Sequence, residues 1–160
     1  MAVFNVEDCA ASRAPGRLLR RLDKTMSAYV ESRIAGRELS YQQWVALKVV
    51  RDGMVGNAGE LARELGLTTG ATTRLIDVLE TRRLMARDRS GEDRRVVRLV
   101  TTELGGATVG RLQDDVVSAW NEVMAAFTQE EAQQFVDMLA RVLAVAERVA
   151  GDAPLAEVAQ

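Results

Sequence analysis

The sequence predicts a mainly α-helical protein with one small β-hairpin, and three observations support this prediction. Apolar residues recur at three- and four-residue spacing over six stretches of the chain. Two short stretches near the middle are separated by one glycine, Gly66. After Leu84 the spacing changes to alternation, which continues to Thr101 and is typical of two strands.

The first helix is predicted to begin near Pro15, because proline is tolerated in a first turn, and to end near Gly36. Its apolar stripe comprises Leu18, Leu22, Met26, Tyr29 or Val30, and Ile34. Its early part is cationic, with Arg13, Arg17, Arg20, Arg21 and Lys24. These cations form either a solvated face or a surface that attracts an anionic ligand or DNA phosphate.

The second helix has a capping box at its start, in which Ser40 and Gln43 can each satisfy a backbone N–H of the other. It is predicted to close at Gly53. Its inward residues are Trp44, Leu47, and Val49 or Val50. This helix would support the next two helices from behind.

The third and fourth helices are short and follow each other closely. Asn57 can cap the third, Gly66 can take the left-handed conformation at its end, and Thr68 or Thr69 can cap the fourth. The buried stripe of the fourth helix is Leu75, Ile76 and Leu79. Small or hydroxyl-bearing residues and one arginine precede that stripe: Thr69, Gly70, Ala71, Thr72, Thr73 and Arg74. Such side chains suit close approach to base edges and phosphates.

The alternating stretch reads as a hairpin, since the turn formers Ser90, Gly91, Glu92 and Asp93 separate two runs of alternating residues. Two helices joined by a tight turn and followed by a hairpin make a winged helix-turn-helix. We assign it to residues 40–100, with the wing at residues 84–100.

Two long helices follow the hairpin. The first starts at Thr101 or Thr102, with the inner stripe Val109, Leu112, Val116, Trp120, Val123 and Phe127. Thr128 and Glu131 form a capping box for the second, whose stripe is Phe135, Met138, Leu139, Val142, Val145 or Ala146, and Val149. A small winged helix cannot cover so much apolar surface. We therefore expect one domain over residues 1–160, with residues 15–35 and 102–150 as dimerisation helices.

The wing carries the most specific motif. The stretch RSGEDRRVVRLVTTELG, residues 89–105, resembles the wing signature of the MarR family of transcriptional regulators. In that signature an Asp-Arg-Arg tip is followed by a strand and by Leu-x-Thr-x-x-x-Gly at the start of the next helix. The resemblance covers residues 57–105, and the flanking helices fit in number and order. One departure is Arg83, which stands where family members usually have glycine.

The resemblance implies that the fourth helix enters the DNA major groove and that the wing tip reaches the minor groove. By position, Asp93 would brace the wing through an ion pair, Arg95 would enter the minor groove and Arg94 would meet phosphate. The full DNA-binding set expected on this basis is Thr68, Thr69, Thr72, Thr73, Arg74, Arg89, Arg94 and Arg95.

The resemblance also implies a homodimer that presents two recognition helices to successive major grooves, about 34 Å apart, and so binds a pseudo-palindromic operator in double-stranded DNA. The expected function is a repressor released by a small aromatic or anionic effector. Tyr29, Trp44 and Trp120 could line the effector crevice, with an arginine as counter-ion. The alternative is that these three aromatic residues are plain core.

The distribution of charge favours DNA over a protein partner. Thr68 to Val100 carries a net charge of +3, whereas residues 102–160 carry −7 and the whole chain −2. An acidic protein that concentrates arginine on one groove-shaped element is typical of a DNA binder. A winged-helix module that binds another protein is the alternative, in which the arginine-rich hairpin is only a solvated face.

The reactive side chains exclude several function classes. Cys9 is the only cysteine and the chain has no histidine, so we expect no metal site, no catalytic triad, no cofactor and no enzyme. An oxidant sensor that works through Cys9 is a second alternative, although no cation adjoins Cys9 in the sequence to lower its pKa. The N-terminal stretch has acids where a signal peptide has cations, and the apolar runs are shorter than a bilayer span. We therefore expect a cytoplasmic protein without a membrane partner.

Overall fold

The computed structural model describes residues 4–6, 13–89 and 97–152. That part of the chain contains six helices and one two-stranded antiparallel sheet. The helices are α1 Pro15–Arg33, α2 Tyr41–Arg51, α3 Ala58–Leu65, α4 Thr69–Thr81, α5 Glu103–Met124 and α6 Gln129–Asp152. The strands are β1 Met85–Asp88 and β2 Arg98–Thr101. The predicted mainly α fold with a small hairpin is thereby confirmed.

The chain divides into two compact units, the first ending at Trp120 and the second beginning at Asn121. One hydrophobic core fills the first unit and draws residues from five helices and the hairpin. Its most deeply buried members are Val30, Ile34, Leu47, Leu61, Ile76, Leu79, Met85 and Val109. This shared core holds the helix-turn-helix of α3 and α4 against α2 and the first half of α5.

The helix starts are fixed by local hydrogen bonds, as the sequence predicts. Ser40 and Gln43 make the reciprocal capping box at α2. At α3 the Asn57 side chain accepts from the backbone N–H of Glu60 at 2.9 Å. The Glu60 carboxylate in turn accepts from the backbone N–H of Gly56 at 2.6 Å. These bonds satisfy N–H groups that the first turn of a helix leaves unpaired.

Helices α3 and α4 each end at a residue with positive φ. Gly66 ends α3 at φ 61°, which sets the tight turn between the two short helices. Arg83 takes φ 58° at the end of α4, although it is not glycine. There the backbone N–H of Leu84 donates to the carbonyl oxygen of Leu79 at 2.9 Å, and the hydroxyl of Thr102 donates to the carbonyl oxygen of Arg83 at 2.7 Å. Helix α4 therefore closes with the geometry of a glycine-ended helix without having the glycine.

The hairpin packs one face onto the core. Met85 pairs with Thr101 and Arg87 with Leu99 across the two strands. Met85 and Leu99 are buried, whereas Val100 on the opposite face is exposed. This alternation is the one expected of a short antiparallel sheet with one solvated side.

The surroundings of Gly105 explain why the wing motif ends in glycine. A Cβ atom at this position would lie 2.0 Å from the carbonyl oxygen of Leu84 and 2.9 Å from the Cγ2 atom of Thr101. The first turn of α5 therefore passes so close to the start of β1 that only glycine fits.

The predicted apolar stripes of the dimerisation helices are only partly buried. Leu18 on α1 is exposed, and so are Val123 and Phe127 of the predicted α5 stripe. Val123 and Phe127 lie beyond Trp120, where the first unit and its core end. On α6 the exposed apolar residues are Val136, Met138, Val142, Leu143, Val145 and Val149. Within residues 4–6, 13–89 and 97–152, no helix has the length and apolar content that crossing a bilayer requires.

Candidate nucleic-acid interface

The start of α4 presents a small, polar surface. Thr68 caps the helix, since its hydroxyl oxygen accepts from the backbone N–H of Ala71 at 3.3 Å. The side chains of Thr69, Thr73 and Arg74 are exposed. The Thr73 hydroxyl donates to the carbonyl oxygen of Thr69 at 2.9 Å and keeps its lone pairs available to accept from an outside donor. This first part of α4 can therefore approach a polar surface closely.

Thr72 corrects the predicted DNA-binding set. Its side chain is buried, with 1% of its surface exposed, and its hydroxyl donates to the carbonyl oxygen of Thr68 at 3.0 Å. Thr72 lies four residues before Ile76 and seven before Leu79, so helical periodicity places it on the same inward face. Thr72 therefore packs in the core and cannot contact a base.

An ion-pair cluster joins the hairpin to α4. The guanidinium of Arg87, on β1, lies 2.9 Å from the carboxylate of Asp77 and also contacts that of Glu80. The backbone N–H of Arg87 donates to Glu80 at 2.9 Å. Sequence reasoning missed this cluster. The three-residue spacing of Asp77 and Glu80 puts both acids on one helix face, but it does not identify their partner.

The base of the wing is held on its other side as well. The backbone N–H of Leu99, on β2, donates to the carbonyl oxygen of Gly56 at 2.9 Å, which ties the second strand to the turn before α3. Arg89 is exposed just after β1 ends. The predicted tip residues Asp93, Arg94 and Arg95 lie outside the described residues, as does Cys9.

The far end of α4 is attached to the loop between α1 and α2. The guanidinium of Arg82 donates to the main-chain oxygen of Glu38 and, at 3.4 Å, to the side chain of Gln43. The carboxylate of Glu38 pairs with Arg111 of α5 at 2.6 Å. The hydrogen bond from Arg111 lowers the pKa of Glu38 below its usual value. These contacts also went unpredicted, because they join segments far apart in the sequence.

The predicted effector-binding aromatics are packed against the core. Trp44 is 7% exposed and its indole N–H donates to the carbonyl oxygen of Val109 at 3.1 Å, so it packs in the core. Tyr29 and Trp120 are partly buried against the same core. Sequence reasoning could not separate these roles, because an aromatic at helical spacing suits both.

A cavity of about 570 Å³ adjoins α1, α2 and the end of α3, and its lining includes none of the three aromatics. Three carboxylates line it, those of Asp23, Glu31 and Glu64. Such a lining repels an anion. In the part of the chain that the structure describes, no group of three or more acidic, cysteine or histidine side chains could hold a metal ion.

Comparison with known proteins agrees with this geometry. Residues 39–97 match the sequence model of the MarR family, a span that begins just before α2 and ends just before β2.

Several solved structures share the fold. The transcriptional repressor CouR, bound to a 23-mer DNA duplex, matches with a TM-score of 0.71 and 25% identity over 89% of this chain and 99% of that chain. A MarR family protein of Mycobacterium tuberculosis in complex with salicylic acid matches with a TM-score of 0.68 and 26% identity, covering 80% and 95% of the two chains. Wild-type MarR from E. coli, in its apo form, matches with a TM-score of 0.69 and 21% identity over 81% and 96%. Residues 39–97 of this chain therefore resemble the MarR family in sequence, and the chain has the winged-helix fold of the MarR-type structures that it matches.

Proposed function

We propose that this protein is a transcriptional regulator that binds double-stranded DNA sequence-specifically, with α4 in the major groove. The observation that carries the proposal is the exposed start of α4, made of small and hydroxyl-bearing residues on a helix that an ion-pair cluster holds to the hairpin. The similar structure of CouR bound to a DNA duplex supports it. The major groove of DNA is wide enough for an α-helix, and small side chains let the helix approach the base edges closely.

The proposed roles follow from exposure and chemistry. Thr69 and Thr73 offer hydroxyls to base edges, and Arg74 offers a guanidinium to a base or a phosphate. Thr68 and Arg89 are exposed as well and would contact the DNA backbone. On the resemblance to the family, Arg94 and Arg95 extend this surface at the wing tip, with Asp93 bracing it.

We propose that the functional protein is a homodimer. The support is the apolar surface that a single chain leaves exposed on α6, together with Leu18 and Leu19 on α1. Clusters of exposed apolar residues on a protein surface are typical of interfaces with other proteins. A two-fold dimer would present two copies of α4 about 34 Å apart, so its operator would be a pseudo-palindrome.

We further propose that the protein represses transcription and that a small molecule releases it from DNA. The support comes from relatives: CouR is described as a repressor, and the mycobacterial relative binds salicylic acid. A ligand that binds the free dimer better than the DNA-bound dimer lowers DNA affinity by the same coupling free energy. No catalytic role belongs to this proposal.

The test is fluorescence anisotropy of the purified protein on duplex DNA from upstream of its own gene and on random duplex, at two salt concentrations. We expect tighter binding to the upstream duplex and a steep loss of affinity with salt, because phosphate contacts release counterions. Weak binding to both duplexes, with no dependence on salt, would favour the protein-interaction module instead.

A further inference from the structure

The end of α4 is attached to α5 at two separate places. The first is the turn after the helix, where the hydroxyl of Thr102 donates to the carbonyl oxygen of Arg83 at 2.7 Å. In the same turn the backbone of Leu84 lies against Gly105. The second is a polar bridge through the loop between α1 and α2. Its members are Arg82 at the end of α4, Glu38 in the loop and Arg111 on α5.

Glu38 joins the two halves of this bridge with different atoms. Its main-chain oxygen accepts from the guanidinium of Arg82, and its carboxylate lies 2.6 Å from the guanidinium of Arg111. Arg82 also donates to the side chain of Gln43 at 3.4 Å. Arg111 also donates to the hydroxyl of Thr108 at 2.8 Å. The bridge therefore runs without interruption from the recognition helix to α5.

The bridge adds direction more than stability. The side chains of Glu38 and Arg111 are more than half exposed, and ion pairs of this kind contribute little to the free energy of unfolding. Helix α4 packs mainly against α3 and β1, and α5 is not among its main neighbours. Apolar packing is non-directional, whereas a hydrogen bond depends on angle as well as on distance. The bridge can therefore set an angle that packing alone leaves loosely defined.

The two attachments together fix an orientation that one attachment leaves free. A helix held at one point can rotate about that point, and a second point of attachment prevents the rotation. On α5 the two points, Gly105 and Arg111, are separated by about 9 Å along the helix. We propose that Arg82, Glu38 and Arg111 are positioning residues, which hold α4 at the angle to α5 that operator recognition requires. Their role in recognition rests on the proposed function, whereas the orientation itself does not.

The first experiment is fluorescence anisotropy with the duplex from upstream of the gene and with random duplex. Arg82→Met and Glu38→Met should each lower the ratio of upstream to random affinity about threefold to tenfold. The two variants change the net charge in opposite directions, so a purely electrostatic effect would weaken binding in the first and strengthen it in the second. Arg63→Met and Glu64→Met make the same charge changes on α3 and should keep the wild-type ratio.

A double variant tests whether the bridge acts as one unit. Arg82 and Arg111 are joined in series through Glu38, so Arg82→Met with Arg111→Met should lower the affinity ratio no further than Arg82→Met alone. Losses that multiply in the double variant would overturn the proposal, as would an unchanged ratio in Arg82→Met. The melting temperature of each single variant should fall by less than about 4 °C. A larger fall would assign these residues to folding instead.

A second experiment measures the orientation without DNA. Nitroxide labels are attached at Thr73→Cys on α4 and Asp114→Cys on α5, both exposed positions, in a chain that also carries Cys9→Ser. A large excess of unlabelled protein ensures that a dimer holds one labelled subunit. Double electron–electron resonance should give a narrow distance distribution, which Arg82→Met broadens or shifts, and an unchanged distribution would overturn the bridge. A changed distribution in a protein with no preference for the upstream duplex supports the bridge and rejects sequence-specific DNA binding.

Discussion

Arg83 holds a left-handed backbone conformation at the end of α4, where most helices of this kind use glycine. A residue with a Cβ atom is strained there, at a cost of about 1 to 2 kcal/mol. The hydrogen bonds from Leu84 and Thr102 impose this conformation from both sides.

We therefore expect Arg83→Gly to raise the free energy of unfolding by about 0.5 to 1 kcal/mol, as part of the relieved strain is offset by the greater freedom of glycine in the unfolded chain. Urea denaturation would measure the change. Arg83→Ala is the matched control, because it removes the same side chain but keeps the Cβ atom, and it should give no such gain. Equal stabilisation by both variants would mean that the arginine side chain, and not its backbone, is unfavourable.

Gly105 is the residue whose replacement should be least tolerated. A Cβ atom there meets the backbone oxygen of Leu84 at 2.0 Å, and a backbone atom cannot turn aside as a flexible side chain can. We expect Gly105→Ala to lower the free energy of unfolding by about 2 to 3 kcal/mol, in the range of overpacked sites. Gly106→Ala is the control, because the nearest neighbour of its Cβ would be the side-chain Cδ atom of Arg51, at 4.0 Å. Thermal unfolding that is the same for both variants would contradict the close approach.

Helix α4 and strand β1 carry two arginines with opposite roles. Arg74 is exposed on the recognition surface, whereas the charge of Arg87 is paired with Asp77 and Glu80. We expect Arg74→Ala to weaken operator binding by about 1 to 3 kcal/mol and to lower the salt slope by about one unit, if it contacts phosphate. We expect Arg87→Met to lower stability by about 1 kcal/mol and to weaken operator binding without changing that slope.

Anisotropy as a function of salt measures both arginine variants. Arg63→Ala, in the last turn of α3, is a control for the loss of one positive charge outside both sites. A reduced slope for Arg87→Met would assign it to phosphate and contradict its role as a brace.

At two helix starts, a capping glutamate makes the free energy of unfolding depend on pH. Hydrogen bonds from Gly56 lower the pKa of Glu60, and hydrogen bonds from Thr128 lower the pKa of Glu131, each from an ordinary value of 4.5. The folded state then binds fewer protons than the unfolded state, so the stabilisation is present above pH 4.5 and is lost as the pH falls through the folded values.

We expect the free energy of unfolding to decline below that pH, and Glu60→Gln to make the decline shallower. Denaturation in urea at a series of acidic pH values would measure it. Glu64→Gln is the control, because Glu64 lies in the last turn of α3 and does not cap its start. An unchanged decline in Glu60→Gln would contradict the assignment.

The elements also show which features the sequence determines locally. The capping box at Ser40, the turn at Gly66 and the cap at Thr68 all depend on residues within four positions, and the sequence predicts them, with Thr68 or Thr69 as the cap. The polarity of Thr72 suggests an exposed residue, whereas its helical position, four residues before Ile76, places it in the core. The contacts of Arg87 and Glu38 were missed, because they depend on how the hairpin and a distant loop pack onto helices, which no local pattern encodes.

At the scale of the whole molecule, the exposed apolar residues of α6 determine the expected assembly. The order of helices and the wing were predictable from the spacing of apolar residues and from the family motif, whereas the surface that a second chain covers is not a property of one chain. The predicted role of residues 15–35 and 102–150 in dimerisation therefore stays a prediction.

We expect Val142→Glu to convert the dimer to a monomer, because it places a charge within the exposed apolar surface of α6. Analytical ultracentrifugation would measure the mass in solution. Gln134→Glu adds the same charge on α6, at a polar residue bonded to Glu130, and should leave the dimer intact. A wild-type protein that sediments as a monomer would reject the dimer.

The burial of Thr72 also bears on the information content of the operator. With Thr72 in the core, the start of α4 offers Thr69, Thr73 and Arg74 as its side chains for reading bases. Three side chains can distinguish only a few base pairs. Each half-site should therefore contain a short stretch in which the base sequence matters, flanked by positions at which any base is accepted. The protein would then distinguish its operator from the rest of a genome by requiring two short half-sites at fixed spacing, and a selection from random DNA should recover that spacing more sharply than any single base.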